Sequence, residues 1–184
     1  MIIKECKECK LSNTRNKIVC GEGKGNILLL GEAPGKAEDM LGTPFIGKSG
    51  MILRKLLSLM SLEEVYITNL VKCRPPGNRN PTEEEVDKCL PHLSNELHIN
   101  KPNIIIAVGR VAATHILDKN QPKRGVLLKV NNVLDYSPSF NLYVSHIYHP
   151  AAALYNPQLL SVLEADMRNL TKEINDIRNP HTIS

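Results

Sequence analysis

The chain has 184 residues, of which 42% are hydrophobic, so it is long enough for one domain with an ordinary core. No apolar run approaches the roughly 20 residues that cross a bilayer, and we expect a soluble protein. The net charge is only +4, and two Phe, five Tyr and no Trp argue against a broad aromatic platform for single-stranded nucleic acid. An odd number of cysteines, five, and the lack of an apolar signal segment indicate a reducing, intracellular compartment rather than a secreted disulfide scaffold.

Short apolar runs alternate with longer amphipathic stretches, which predicts βα units around a mainly parallel sheet. In chain order we predict a strand at 26–30, a helix at 49–60, a strand at 65–70, a helix from 82 to about 97, a strand at 104–108, a helix at 110–117, an edge strand within 121–132, a strand at 142–147 and a helix at 158–174. Thr82 and Glu85 have capping-box spacing at the start of the second helix. Residues 178–184 are predicted to form a flexible tail.

Four features of the sequence fall at the carboxyl ends of predicted strands. They are the Gly31–Gly35 turn, Asn69, the turn at Gly109 and His149. Open α/β sheets bind their ligands in the crevice at this edge. We therefore expect these four features to converge on one site.

Four of the cysteines form two widely separated pairs, Cys6 with Cys9 and Cys73 with Cys89. The two pairs can share a tetrathiolate site only if the fold brings them together. Such a ligand set indicates zinc or an iron–sulfur cluster. The alternatives are a redox pair near the amino terminus and two small buried cysteines in the core. Cys20 is interpreted as a non-ligand.

The residues at the strand ends offer complementary chemistry. Glu32 places a carboxylate on a tight turn, Phe45 can stack on a planar ligand, and the Asn69 amide can both donate and accept hydrogen bonds. His149 can donate a hydrogen bond or carry a positive charge near neutral pH. Taken singly, each has a structural explanation: an exposed turn, a core aromatic, a strand-end cap and a structural histidine. Together they predict a site that holds a base and breaks a bond beside it.

These motifs resemble the iron–sulfur family 4 uracil-DNA glycosylases of thermophilic bacteria and archaea. The resemblance covers most of the chain, from Cys6 to about Pro157. The segments that carry it are Gly31–Gly35, Glu38-Asp39, Gly42–Gly47, Thr68–Pro76 and His149–Ala151.

The resemblance implies one uracil-DNA glycosylase domain over residues 1–184, with residues 1–25 as a cluster-binding segment. It implies a three-layer α/β/α sandwich whose central, mainly parallel sheet has four strands. It also implies a [4Fe-4S] cluster on Cys6, Cys9, Cys73 and Cys89. The implied uracil pocket comprises Gly31, Glu32, Ala33, Phe45, Asn69 and His149.

The implied activity is monofunctional hydrolysis of the glycosidic bond of deoxyuridine in single- or double-stranded DNA, which releases free uracil and leaves an abasic site for base excision repair. Glu32 and His149 are the predicted catalytic residues: Glu32 orients water and offsets charge on the sugar, and His149 donates to the uracil anion. Asn69 reads the uracil edge and Phe45 stacks on the flipped base. The candidate DNA contacts are Lys48, Ser49, Arg74, Arg79, Arg110 and Leu154.

The chain departs from the family pattern at two places. Thr43 stands where arginine is common. In the loop from Ala151 to Tyr155, Ala153 stands where the family often has leucine and Tyr155 where it often has arginine, so the neighbouring Leu154 is the candidate wedge in the DNA. We expect a monomer in the prokaryotic cytoplasm that makes no membrane contact, and we find no convincing motif for a sliding clamp.

Two alternatives remain at this point. One is a module that binds uracil-DNA without turnover, although the segment from Arg74 to Pro81 lacks the basic loop ending in histidine that such relatives carry. The other is a zinc-stabilised nucleic-acid-binding module. A brown protein would indicate iron–sulfur, and a colourless protein with one zinc would indicate the module.

Overall fold

Four buried parallel strands form the centre of the computed structural model, which describes residues 3, 5–62, 64–117 and 123–179. They belong to a six-stranded sheet with the order β1-β3-β2-β4-β6-β5. The strands are β1 (Glu22–Gly23), β2 (Ile27–Gly31), β3 (Val65–Asn69), β4 (Ile104–Val108), β5 (Leu128–Val130) and β6 (Leu142–Ile147). The helices are α1 (Lys36–Leu41), α2 (Lys48–Leu59), α3 (Glu83–Asn100), α4 (Arg110–Ile116), α5 (Ala151–Tyr155) and α6 (Gln158–Arg178).

Helices cover both faces of the sheet, because alternate residues of each central strand point to opposite sides. On β2, Leu29 packs with the apolar residues of α2 and α6, whereas Leu28 and Leu30 pack with those of α3 and α4. Every residue of β2, β3 and β4 is buried. The predicted three-layer α/β/α sandwich is confirmed.

The predicted central sheet of four parallel strands is also confirmed, and two short antiparallel strands extend it at its edges. The edge strand expected within 121–132 is β5, and it is only three residues long. Helix α6 continues past Ile174 to Arg178, where the tail was predicted to begin, and residues 180–184 of that tail lie outside the described residues. Helices α1 and α5 were not predicted. None of the helices in the described ranges is long and apolar enough to cross a membrane.

Candidate active site and cysteine centre

The carboxyl ends of the central strands are joined by backbone hydrogen bonds that position the loops beyond them. Gly31 lies opposite Asn69 in the parallel register, and the amides of Leu70 and Val71 donate to the carbonyls of Gly31 and Glu32 at 2.9 and 3.2 Å. The turns after β2 and β3 are therefore fixed to each other. The predicted convergence is confirmed for the first turn and Asn69. Gly109 lies beside His149 and donates its amide to the Ile147 carbonyl at 2.9 Å, but it does not line the cleft described next.

A cleft with a volume of about 350 Å³ opens at this edge of the sheet. It is lined by Glu32, Ala33, Pro34, Gly35, Glu38, Phe45, Ser49, Asn69, Pro75, Asn78, Arg79, Asn80, His149, Ala151 and Tyr155. The volume is at the small end of the range for ligand sites, which suits one flipped nucleotide. Four side chains with the predicted chemistry thus face one space.

Asn69 presents an amide without a protein partner to this cleft. The residue is 2% exposed, and its side chain makes no hydrogen bond within the part of the chain that the structure describes. The buried side-chain atoms without a partner in the described part of the chain do not include those of Asn69, so its amide reaches the solvent in the cleft. A ligand that enters the cleft can therefore form hydrogen bonds with this amide.

Phe45 forms a wall of the cleft in a strained backbone conformation. Its φ is +52°, which is rare for a bulky residue. The Arg54 guanidinium holds this turn by donating to the carbonyls of Phe45 and Pro44, each at 2.8 Å. Gly50 lies directly beneath, where a Cβ would come within 2.2 Å of the Phe45 carbonyl oxygen. The strain is therefore held by specific contacts from α2.

Gly31 leaves room for two of the cleft residues. A Cβ at this position would lie 2.3 Å from Asn69 Oδ1 and 2.5 Å from Phe45 Cζ. Only a glycine allows the amide and the aromatic ring to meet over the end of β2.

Glu38 is a buried carboxylate of α1 that lines the cleft and holds the Phe45 loop. Its Oε1 accepts the amides of Ile46 and Gly47 at 3.0 and 2.8 Å. The neighbouring Asp39 faces the other way and accepts the amide of Asn16 at 2.9 Å. The sequence placed this Glu-Asp pair in a family motif without assigning it a role, and the structure shows that it ties two segments to α1.

The two predicted catalytic residues have pKa values shifted in opposite directions. Burial raises the pKa of the Glu32 carboxyl above its ordinary value, an effect partly offset by nearby His115. Burial lowers the pKa of the His149 imidazole, an effect partly offset by Glu38. At neutral pH the site therefore holds a neutral histidine.

The backbone selects one tautomer of that neutral histidine. The amide of Ala151 donates to His149 Nδ1 at 3.2 Å, so Nδ1 carries no proton and Nε2 carries it. The ring is nearly parallel to Phe45, with centroids 6.1 Å apart and an interplanar angle of 28°. His149 is thus a neutral hydrogen-bond donor at the cleft.

The four cysteines of the two predicted pairs line one cavity. Cys6 and Cys9 precede a short turn of helix, Cys73 follows β3, and Cys89 lies in α3. Leu11, Ile18 and Val71 make the surroundings apolar, and Cys20 is not among the lining residues. Across the described ranges no group of three or more His, Cys, Asp or Glu side chains is placed to hold a single metal ion.

Hydrogen-bond donors point at three of these sulfurs. Arg15 donates to Cys73 Sγ at 3.5 Å, the Lys72 amide donates to Cys89 Sγ at 3.3 Å, and His92 lies 3.4 Å from Cys6 Sγ. Burial raises the pKa of Cys73 to about 11 and raises that of Cys89. Such thiols are weak nucleophiles, and a bound cationic group would be needed to ionise them. The low reactivity of Cys73 and Cys89 fits both metal ligands and small buried cysteines.

Comparison with known proteins agrees with this geometry. The family model described as the uracil DNA glycosylase superfamily matches residues 19–181. The chain belongs to this superfamily. It is 40% identical over 183 residues to the type-4 uracil-DNA glycosylase of Saccharolobus solfataricus, covering 94% of this chain and 83% of the relative. It is 42% identical to that of Sulfurisphaera tokodaii (90% and 78%) and 40% identical to that of Archaeoglobus fulgidus (91% and 87%).

All six residues predicted to bind uracil lie at the ends of β2 and β3, in the Phe45 turn or after β6. Ala33 has a double position, because it lines the cleft and also packs against the apolar residues around Cys73 and Cys89. In this glycosylase-family chain, Ala33 therefore connects the cleft with the apolar surroundings of the cysteine cavity.

The candidate DNA contacts are distributed around the cleft. Ser49 and Arg79 line it, while Lys48 and Arg110 lie at the starts of α2 and α4. The Arg79 guanidinium pairs with both carboxylate oxygens of Glu85, at 2.8 and 2.6 Å, and so fastens the proline-rich loop to the capping box of α3. Arg74 donates to Asn78 Oδ1 at 2.7 Å. Their contacts with DNA stay predictions.

Tyr155 was not predicted as a site residue. It lies at the end of α5, lines the cleft and is 90% exposed, whereas the predicted wedge Leu154 is 46% exposed and is not among the lining residues. The sequence contained a signal for it, because Tyr155 stands where the family often has arginine.

Proposed function

We propose that this protein removes uracil from DNA by hydrolysing the glycosidic bond of deoxyuridine, leaving an abasic site for base excision repair in the cytoplasm of its cell. One observation carries the proposal: a buried Asn69 amide without a protein partner among the described residues faces the same cleft as Glu32, Phe45 and His149, in a chain of the uracil-DNA glycosylase superfamily. The relatives named type-4 uracil-DNA glycosylases support the same substrate.

Asn69 and Phe45 recognise the base. An amide can accept the N3–H of uracil and donate to O4, whereas cytosine has an acceptor at N3 and a donor at its exocyclic amine, so the same amide orientation is mismatched. The base reaches this site only after leaving the DNA stack, at a cost of a few kcal/mol.

His149 and Glu32 break the bond. As the glycosidic bond lengthens, negative charge gathers on uracil and positive charge on the sugar. The neutral His149 Nε2–H donates to the departing base, and the Glu32 carboxylate stabilises the sugar and orients the attacking water. Burial strengthens both interactions because the local dielectric is low.

The cysteine cavity is proposed to hold a [4Fe-4S] cluster on Cys6, Cys9, Cys73 and Cys89. Four cysteine thiolates are the ligand set of such clusters, and N–H donors to the sulfurs are a usual way of tuning them. When bound, the cluster would join the amino-terminal segment to the core. We assign it no step in the hydrolysis.

The polar and charged side chains around the cleft are proposed to bind the DNA backbone. Lys48, Ser49, Arg74, Arg79 and Arg110 supply charge and hydrogen bonds, which position the duplex without reading its sequence. An apolar or aromatic residue of α5 then occupies the space that the flipped nucleotide leaves.

The deciding experiment is uracil release from labelled oligonucleotides, single- and double-stranded, with thymine- and cytosine-containing strands as controls. We expect free uracil and an abasic site from the uracil strands alone. Tight binding without release, or a covalent band on a denaturing gel, would support a module without turnover instead. For the cluster, we expect brown protein with about four irons per chain; a colourless protein with one zinc would contradict it.

A further inference from the structure

Lys72 is a fully buried lysine whose every polar group is used. The residue is 1% exposed, and its ammonium donates to Thr68 Oγ1, the Asn69 carbonyl oxygen and Glu96 Oε2, each at 2.7 Å. These three acceptors match the three N–H groups of an ammonium. The main chain of Lys72 donates to Cys89 Sγ at 3.3 Å and accepts the amide of Val19 at 2.8 Å.

Glu96 completes a network that connects four segments of the chain. The residue is 0% exposed; its Oε2 also accepts the Thr68 hydroxyl at 2.7 Å, and its Oε1 accepts the Gly21 amide at 3.1 Å. Thr68 and Asn69 are the last residues of β3, Glu96 belongs to α3, and Gly21 precedes β1. The network therefore surrounds the strand end that carries the proposed uracil reader.

Stability alone is a poor explanation for this pair. Burying two charges costs about as much as their attraction returns, and apolar replacements of a buried ion pair are often neutral or stabilising. The ammonium specifically fixes the main-chain carbonyl of Asn69. The Asn69 side chain itself has no hydrogen-bond partner among the described residues. Lys72 also contacts a cysteine of the proposed cluster through its main chain.

We propose that Lys72, held by Glu96 and Thr68, is a positioning residue that fixes Asn69 for reading uracil. The inference rests on the proposed function. In this proposal Lys72 and Glu96 affect the rate only by positioning Asn69, because neither residue lines the cleft.

The test is a double-mutant cycle between the charge pair and Asn69. The variant Lys72→Met with Glu96→Gln removes both charges and keeps an acceptor for the Gly21 amide. We expect single-turnover uracil release to slow by about tenfold to a hundredfold, the loss typical of a displacement near 1 Å. Affinity for uracil-free duplex should be unchanged. In an Asn69→Ala background the same double change should cause no further loss.

Two controls separate positioning from general destabilisation. Leu97→Ala makes a cavity in the same helix and should lower the unfolding temperature without slowing release by the folded protein. The visible absorption of the double variant should match the parent, because its main-chain contact with Cys89 is retained. Thr68→Val removes one acceptor of the Lys72 ammonium and one donor to Glu96 but leaves the ion pair and the bond to the Asn69 carbonyl. It should give a smaller loss, again only where Asn69 is present, which keeps the test decisive if the double variant does not fold.

Equal losses in the parent and in the Asn69→Ala background would overturn the inference, as would a loss that merely follows the unfolding temperature as in Leu97→Ala. A parent protein that releases no uracil would overturn the proposed function instead. The two failures are therefore distinguishable.

Discussion

Replacing Gly31 by alanine tests the geometry of the cleft with the smallest possible side chain. The added Cβ would lie 2.3 Å from Asn69 Oδ1 and 2.5 Å from Phe45 Cζ, whereas ordinary contact begins near 3.4 Å. The backbone of Gly31 has ordinary strand geometry, so the effect is steric. The amide and the ring must each withdraw by about 1 Å.

The magnitude follows from that displacement. Overpacking of this kind costs about 1–3 kcal/mol of stability, whereas a misplacement near 1 Å at a reacting site costs about a hundredfold in rate. We therefore expect Gly31→Ala to fold, to bind uracil-free duplex normally and to release uracil about a hundredfold more slowly under single-turnover conditions. The measurement pairs that rate with thermal unfolding.

Gly125→Ala is the matched control outside the cleft. Its Cβ would lie 2.9 Å from Asp166 Cα at a φ of +73°, so it should lower stability while leaving the rate unchanged. A Gly31→Ala enzyme with a rate close to that of the parent would refute the assignment of Asn69 and Phe45 to the base site. Equal rate losses in the two variants would do the same.

Three further predictions concern the chemistry and the DNA. Glu32→Gln should slow uracil release by about 10²- to 10⁴-fold, yet it should raise the unfolding temperature at pH 7. Because burial raises the Glu32 pKa, the ionised carboxylate lowers the stability of the folded protein above its folded pKa. The gain in unfolding temperature should therefore vanish below pH 4.5, where Glu32 is protonated in both states. Burial lowers the His149 pKa from 6.5, and the neutral ring is the proposed donor. The rate of uracil release should therefore rise with pH and become constant by about pH 6.5. A rate that falls as the pH rises through this range would show that the imidazolium is the active form. The chain has no Trp, so Tyr155→Trp introduces a single fluorescent residue whose emission uracil-DNA should quench by base stacking. If quenching is seen only in Leu154→Trp, Leu154 is the wedge.

Much of the fold was predictable because its central elements carry strong local signals. The apolar runs at β2, β4 and β6 and the capping box at Thr82 and Glu85 determine their structure from neighbouring residues alone. The edge strands and α1 were harder to predict, since two or three largely exposed residues become a strand only when a partner is already in place.

The same distinction applies to the site. Glu32, Asn69 and His149 could be predicted because each follows a recognisable strand and belongs to a dense motif. Glu38 and Lys72 could not be assigned roles, because an acid in a short helix and a lysine beside a cysteine have their usual surface explanation until long-range packing buries them. Their meaning depends on partners 8 to 24 residues away in the chain.

The cleft concentrates features that work against stability, namely a raised carboxyl pKa at Glu32 and a positive φ at Phe45. Such features persist only where neighbouring residues hold them in place. Glu38 and Arg54 hold the Phe45 turn, and Lys72 holds the end of β3 through the Asn69 carbonyl. Ala33 lines this cleft and also packs against the apolar residues around Cys73 and Cys89, so it connects the two sites. If the proposed cluster orders the four cysteines, we expect its removal to let the strained groups of the cleft relax and to slow uracil release, although the cluster does no chemistry on the substrate.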